Sequence, residues 1–176
     1  MRITGGSLKG RLLNSPKKSG VRPTTDRLRS SLFSIIGGKI VDSYVLDLFA
    51  GTGAFGIESL SRGAKFVAFL DIDTANVRQN LGNLNIVDNV KLFTGDFRTL
   101  LKKISLTFDI IFIDPPYEKF RPKDVLNSVK HLCGENTTII FEERKNTDFV
   151  EIDELFKEID RRDYSDTQIR IYEVVK

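Results

Sequence analysis

Tyr44-Val45-Leu46-Asp47-Leu48-Phe49-Ala50-Gly51-Thr52-Gly53-Ala54-Phe55-Gly56 reads as an apolar strand that runs into a glycine-rich turn and on into a helix. Gly51, Gly53 and Gly56 fit the spacing G-x-G-x-x-G, which lets the backbone turn tightly and aims a helix N-terminus at a ligand. Alone, the pattern is shared by sheet proteins that merely turn sharply and by dinucleotide enzymes that cradle a pyrophosphate. Asp47, inside the strand, tips the balance. A carboxylate there would repel a pyrophosphate and suits the cationic amino-acid end of S-adenosylmethionine. Asp47, Phe49, Ala50, Gly51 and Gly53 are therefore candidate cofactor-binding residues.

Working outward, short apolar runs alternate with helical segments, the mark of βαβ units and of a mainly parallel sheet. Candidate strands span 44–49, 66–71, 90–93, 108–113 and 137–142, with helices near 54–62, 74–85, 97–103 and 122–132. The run at 108–113 is apolar on both faces apart from Asp109, as a central strand covered on both sides should be. Leu155 to Asp160 and Gln168 to Val174 are strand-like runs flanking Tyr164-Ser165-Asp166, read as an antiparallel hairpin at one edge. The fold class is α/β, a mostly parallel seven-stranded sheet with an antiparallel edge hairpin. Ahead of it, a helix should follow Arg22-Pro23, with Thr24 or Thr25 as N-cap, Asp26 in its first turn and Leu28, Leu32, Ile35 and Ile36 on one face. Gly37-Gly38 ends it. Residues 2–13 suggest a small hairpin or extended arm, and Pro16 to Gly20 has linker composition. We therefore expect one domain overall, a basic arm over 1–21 followed by the main body over 22–176.

With 176 residues, 40% of them hydrophobic, the chain can bury one real core. Cys133 is the only cysteine, and no Cys/His cluster has metal-ligand spacing, which sets aside a disulfide scaffold and a zinc site. A reducing cytoplasm fits. No window approaches the roughly 18 apolar residues of a membrane helix, so a soluble protein, monomeric and without a membrane partner, is expected. The net charge is +3, but its distribution matters more. Arg2, Lys9, Arg11, Lys17, Lys18, Arg22, Arg27 and Arg29 fall within the first thirty residues against the single acid Asp26. Cations so gathered release counterions from phosphates and favour nucleic acid; a solvated arm without a specific partner is the plain alternative.

Three further acids stand where open α/β sheets bind ligands, beyond strand C-termini. Asp71, with Ile72 beside it, is placed to meet ribose hydroxyls, and Asp73 is a second candidate. Asp96 is placed for an adenine amino group, with Phe97 as a packing surface. Asp73 and Asp96 would serve equally as helix N-caps. The fourth strand closes on Ile113-Asp114-Pro115-Pro116-Tyr117. An exocyclic amine of a nucleobase is a poor nucleophile because its lone pair is delocalised into the ring. If the Asp114 carboxylate and the Pro115 carbonyl each accept one N–H, the nitrogen is drawn towards tetrahedral geometry. Consecutive prolines hold these acceptors rigid, and Tyr117 would stack on an unstacked base. Asp114, Pro115, Pro116 and Tyr117 are the candidate catalytic residues; an ordinary strand-terminating turn is the plain alternative.

The Asp47 loop, Asp114-Pro115-Pro116-Tyr117, the N-terminal Arg2-Ile3-Thr4-Gly5-Gly6-Ser7-Leu8-Lys9-Gly10-Arg11 and the segment Arg22-Pro23-Thr24-Thr25-Asp26-Arg27 together resemble the bacterial 16S rRNA guanine-N2 methyltransferase family that modifies guanine 966. The resemblance runs from Arg2 to about Tyr172. It implies a Rossmann-like class I methyltransferase fold, S-adenosylmethionine as donor and 16S rRNA of the small ribosomal subunit as partner. It further implies RNA contacts from Arg2, Lys9, Arg11, Lys17, Lys18, Arg22 and Arg27, with Asp114 to Tyr117 holding the guanine. Two motifs are shared with adenine-N6 enzymes acting on DNA or RNA, which stay open as alternatives, as does a non-catalytic RNA-binding module. One departure is visible. Ser165 stands where the family usually has glycine in Tyr-Gly-x-Thr, which bears on the conformation of the hairpin turn.

Overall fold

The computed structural model describes residues 1–15, 26–150 and 152–175. The expected linker 16–20, the caps Thr24 and Thr25, and the RNA-contact candidates Lys17, Lys18 and Arg22 lie outside the described residues. Helix α1 spans Asp26–Ile36, followed in chain order by β1 (Tyr44–Leu48), α2 (Ala54–Ser61), β2 (Phe66–Asp71), α3 (Ala75–Asn83), β3 (Val90–Thr94), α4 (Phe97–Leu100), β4 (Phe108–Ile113), α5 (Pro122–Val129), β5 (Cys133–Arg144), β6 (Phe156–Tyr164) and β7 (Thr167–Val174). The strands form one sheet in the order β3-β2-β1-β4-β5-β7-β6. Strands β3, β2, β1, β4 and β5 run parallel, and β7 and β6 pair antiparallel at one edge. This is the Rossmann-like class I methyltransferase arrangement, with the apolar strand β4 in the middle position as its pattern requires. No helix among the described residues is long and apolar enough to cross a membrane.

Alternation along the strands builds a core on each face. Val45, Phe69, Ile110, Phe112, Ile140 and Ile169 pack towards residues of α1, α2 and α3, whereas Leu46, Leu70, Ile111, Ile113, Ile139 and Phe141 pack towards α4 and α5. Phe33 of α1, Phe55 of α2 and Phe112 of β4 form one stack, with centroids 4.9 and 4.1 Å apart. Such aromatic contacts contribute about 0.5–1.5 kcal/mol each beyond the area they bury.

The N-terminal segment folds on itself and onto this first face. Arg2 and Leu12 form an antiparallel bridge, the Ile3 N–H donates to Arg11 O at 3.0 Å and the Leu13 N–H to Met1 O at 3.0 Å. Ile3 and Leu13 are buried in the same core as α1 and α2. The Ser7 N–H donates to the Ser61 carbonyl and the Ser61 hydroxyl to the Gly5 carbonyl, so the glycine turn lies on the end of α2.

Two expectations are corrected. In α1 the buried residues are Leu28, Arg29, Leu32, Phe33 and Ile36, and Ile35 is exposed, because the inward stripe is set by Phe33 and by an arginine no apolar pattern would select. Arg29 thus leaves the solvated basic set: it is 0% exposed and pairs with Glu58 of α2 at 2.6 Å. Strand β5 also starts earlier than expected, at Cys133, with a register shift opposite Phe108 to Ile110. Its first turn of sequence, Gly134-Glu135-Asn136, is polar and hides the strand.

The β6–β7 turn holds Ser165 at φ 51, with Tyr164 opposite Thr167. A positive φ at the first central residue is the pattern that favours glycine there. Ser165→Gly should therefore stabilise the protein by about 1 kcal/mol, read as a raised urea midpoint with an unchanged slope; a lowered midpoint would contradict the strain.

Candidate functional site

The site lies at the C-terminal edge of the parallel strands, where the loops after β1, β2, β3 and β4 meet. The loop after β1 is tightly wound. Phe49, Gly51 and Gly53 all have positive φ, at 64, 55 and 74°, and the Phe49 and Ala50 N–H groups both donate to the Leu70 carbonyl. A non-glycine residue held there stores backbone strain of the kind that gathers at binding sites. A Cβ on Gly51 would meet nothing closer than 4.0 Å, so the backbone there is open to a ligand. A Cβ on Gly56 would lie 2.3 Å from Phe69 Cε1, so the third glycine serves close packing of α2 on β2.

Asp47 is 1% exposed and accepts the Gly56 N–H at 2.9 Å, satisfying an orphan donor in the first turn of α2. Burial pushes its carboxyl up to about 7, the Gly56 bond opposes the rise, and the neighbouring charge of Asp71 adds to it. Asp71 accepts the Gly51 N–H at 2.8 Å through one oxygen and the Asp73 N–H at 3.1 Å through the other. It ties the first two loops together while keeping lone pairs for a further donor. Ile72, beside it, is 72% exposed, an apolar side chain offered at the mouth of the site. Asp73 accepts the Ala75 N–H at 2.9 Å from just ahead of α3, whose N-cap residue is Thr74.

Asp96 takes the capping role that was one of its two readings. It accepts the Arg98 N–H at 2.9 Å and the Arg98 guanidinium through both oxygens at 3.0 and 2.6 Å. The Arg98 hydrogen bond foremost holds its carboxyl below the usual range. Phe97 packs with Phe49 and Phe120, at centroid distances of 5.0 and 5.2 Å, and Phe49 and Phe120 lie 5.7 Å apart. One aromatic cluster therefore joins the loops after β1, β3 and β4.

The proline turn continues β4. The Asp114 N–H donates to Leu48 O at 3.3 Å, extending the ladder one residue past Ile113. Asp114 thus keeps the parity of Phe112, which stacks on α2, and Asp47 is the register partner of Phe112. By the same alternation Glu142 of β5 follows Ile140 onto this face, and Thr167 of β7 follows Ile169. Pro115 is buried and Pro116 exposed. The Tyr117 hydroxyl is 2.9 Å from the Thr167 hydroxyl. Burial raises the Tyr117 phenol, the Thr167 bond opposes this, and the charges of Glu142, Asp114 and Glu143 add to the rise.

Asp47, Phe49, Ala50, Gly51, Gly53, Asp71, Ile72, Phe97 and Asp114 to Tyr117 are thus gathered along one sheet edge. Arg2, Lys9, Arg11 and Arg27 are exposed on the neighbouring arm and α1. Sequence reasoning missed Glu142, 3% exposed, Thr167 and Asn80. Glu142 carried no motif, but the parity of β5 opposite β4 could have located it.

The family model described as "Conserved hypothetical protein 95" matches residues 1–173. Ribosomal RNA small subunit methyltransferase D of Escherichia coli strain K12 is 36% identical over 72% of this chain and 65% of its own length, so the alignment spans somewhat under two thirds of that protein. The protein of the same name from Buchnera aphidicola (Acyrthosiphon pisum) is 35% identical over 84% of this chain and 80% of its own. A solved structure of an Escherichia coli putative methyltransferase superposes with a TM-score of 0.88 at 28% identity, covering 99% of this chain and 97% of that one.

The raised carboxyl of Asp47 has a signed consequence. Between about pH 4 and 7 the folded protein holds a proton there that the unfolded chain has released, so its stability falls as pH rises through that window and levels above it. In urea unfolding compared pH by pH, Asp47→Asn should gain on the parent from pH 4 to 7 and then run parallel; a constant difference throughout would show an ordinary carboxyl.

Proposed function

The chain belongs to the Conserved hypothetical protein 95 family, and on that footing we propose that it methylates the exocyclic N2 amine of a guanine in 16S rRNA of the small ribosomal subunit, at position 966, with S-adenosylmethionine as donor. The observation that carries this reading is the parity of β4: Asp114 stands on the same sheet face as Asp47, one strand away from the glycine loop. The names of the ribosomal RNA methyltransferases to which the chain is similar support the substrate class.

The residues fit the donor. The open backbone at Gly51 admits a ligand against it, Asp71 keeps acceptor capacity for ribose hydroxyls, and Ile72 offers an apolar surface to an adenine ring. Asp47, buried behind the loop with its carboxyl pushed up to about 7, would be drawn to its ionised form by a cationic amino-acid end. Asp96, engaged by Arg98, would reach an adenine amine only through its remaining lone pairs. S-adenosylmethionine supplies an electrophilic methyl group on a sulfonium.

The chain's own residues do the rest. The Asp114 carboxylate and the Pro115 carbonyl accept the two N–H groups of the guanine amine and turn its lone pair out of the ring plane. The nitrogen–carbon bond forms as the carbon–sulfur bond breaks, with the electron pair leaving on sulfur. The surplus proton on nitrogen passes to Asp114 and on to solvent. Asp114 acts mainly by holding and orienting, since the methylated nitrogen is acidic. Tyr117 offers its ring to the extruded base, and its Thr167 bond fixes the ring's position. Arg2, Lys9, Arg11 and Arg27, with Lys17, Lys18 and Arg22, bind backbone phosphates.

Labelled methyl transfer to small subunits lacking native modifications should place the label on a single guanine N2, and label on an adenine would refute the assignment. Asp114→Ala should retain S-adenosylhomocysteine affinity within about threefold while turnover falls at least about 100-fold; unchanged turnover would reduce the motif to a turn. Neutralising the arm with Lys9→Gln and Arg11→Gln should weaken subunit binding and lower the slope of log K against log salt by about 1 per lost phosphate contact. A salt-independent loss would remove these two side chains from the RNA surface.

A further inference from the structure

Asn80, on α3, is 1% exposed and belongs to none of the motifs above. Its Oδ1 accepts the Asn14 N–H at 2.8 Å, and its Nδ2 donates to the Asn14 carbonyl at 3.1 Å and to the Thr52 carbonyl at 2.9 Å. The amide edge meets the N–H and C=O of one residue, as a neighbouring strand would. Turned over, it would set donor against donor, so its orientation is fixed. Both Nδ2 hydrogens are used, one on each side of a junction: Asn14 belongs to the arm, and Thr52 lies between Gly51 and Gly53 in the donor loop.

Other contacts converge on the same point. The Thr52 hydroxyl lies 3.9 Å from the Met1 sulfur, and Met1 is held to Leu13 across the arm. Met1 therefore touches, and Asn14 reaches through Asn80, the loop residue flanked by two left-handed glycines, and the Thr52–Gly53 peptide plane is held by Asn80 at its carbonyl and by the Gly53 N–H donating to the Ala50 carbonyl at 2.7 Å. A buried amide that lost either partner would leave a donor unsatisfied, at a cost of about 1–3 kcal/mol, so the arm and the loop are docked together or lost together.

We propose that Asn80 is the positioning residue that couples the arm to the glycine loop, so that RNA held by the arm and donor held by the loop each strengthen binding of the other. This rests on the methyltransferase reading given above. A ligand on the loop fixes the Thr52 peptide in the orientation that Asn80 needs to grip Asn14, and RNA on the arm fixes the same grip from the other side. Linkage makes the two effects equal in size.

The test uses the full chain and measures the S-adenosylhomocysteine Kd by calorimetry without and with saturating unmodified small subunits. The ratio of the two constants is the readout, because a merely structural role would shift both constants and leave their ratio alone. The parent ratio should be about 5- to 10-fold, and Asn80→Ala should bring it close to 1. Asn14→Pro, at an exposed position, removes the N–H that Oδ1 accepts while keeping the carbonyl that Nδ2 meets and should do the same, which keeps the test intact if Asn80→Ala does not fold. A variant that keeps the parent ratio, or a parent ratio of 1 with both ligands bound, overturns the coupling. Failure of the parent to bind S-adenosylhomocysteine or subunits at all overturns the function itself.

Discussion

Glu58 sits wholly inside the protein and is shared by three elements. Arg29 of α1 donates to it at 2.6 Å, Arg62 at the end of α2 at 2.8 and 3.0 Å, and Thr4 of the arm through both its hydroxyl and its N–H. Arg29 in turn donates to the Arg2 carbonyl and to Asp26, and Asp26 accepts the Arg2 N–H. A buried ion pair adds little net stability over an apolar substitute, because desolvation offsets attraction, yet removal of one partner leaves a buried charge and costs about 3–5 kcal/mol. What such a network contributes is uniqueness. The docking of the arm on α1 and α2 satisfies these donors around Glu58 together, and it brings Met1 to Thr52 of the glycine loop and Asn14 to Asn80.

The constraint propagates along the sheet edge. The loop after β1 can hold strained backbone at Phe49 because Leu70 takes two of its N–H groups and Asp71 and Asn80 take one polar group each. The turn after β4 is held by its prolines from within and by the Tyr117–Thr167 contact from outside. The edge hairpin that supplies Thr167 also supplies Tyr164, whose hydroxyl lies 2.8 Å from Ser31 of α1. The hairpin, remote in sequence from both motifs, therefore braces the proline turn and the helix next to the arm.

Legibility followed the range of the interactions. The strands β1, β2, β3 and β4 and the helices between them were readable because each is decided by local periodicity, and the glycine loop and proline turn because each carries its own backbone chemistry. Arg29 was miscounted as a solvated cation since its partner lies 29 residues away. Asn80 drew no reading from the sequence, because its partners lie 66 and 28 residues distant. Thr167 was visible only as half of a turn pattern, although its hydroxyl meets Tyr117 50 residues back. Asp96 shows the opposite case: its cap on α4 is local and was foreseen as one of two readings, and Arg98, two residues on, decides how much of it is left for a ligand.

The charges are sorted by depth. Asp47, Asp71, Asp114 and Glu142 line one face of the sheet edge, while Arg2, Lys9, Arg11 and Arg27 stand exposed on the arm and α1 beside it. A polyanion approaching this surface is attracted to the rim and repelled by the interior. On the proposed function, this would keep a phosphate backbone outside and admit what is uncharged or cationic: a base swung from its stack and a sulfonium with its ammonium. Under that proposal the same acids would oppose RNA as a whole and select the part of it that reacts, with the arm docked so that attraction and repulsion act side by side. A polar residue such as Asn80 at the junction of rim and loop is where these two fields are held in register.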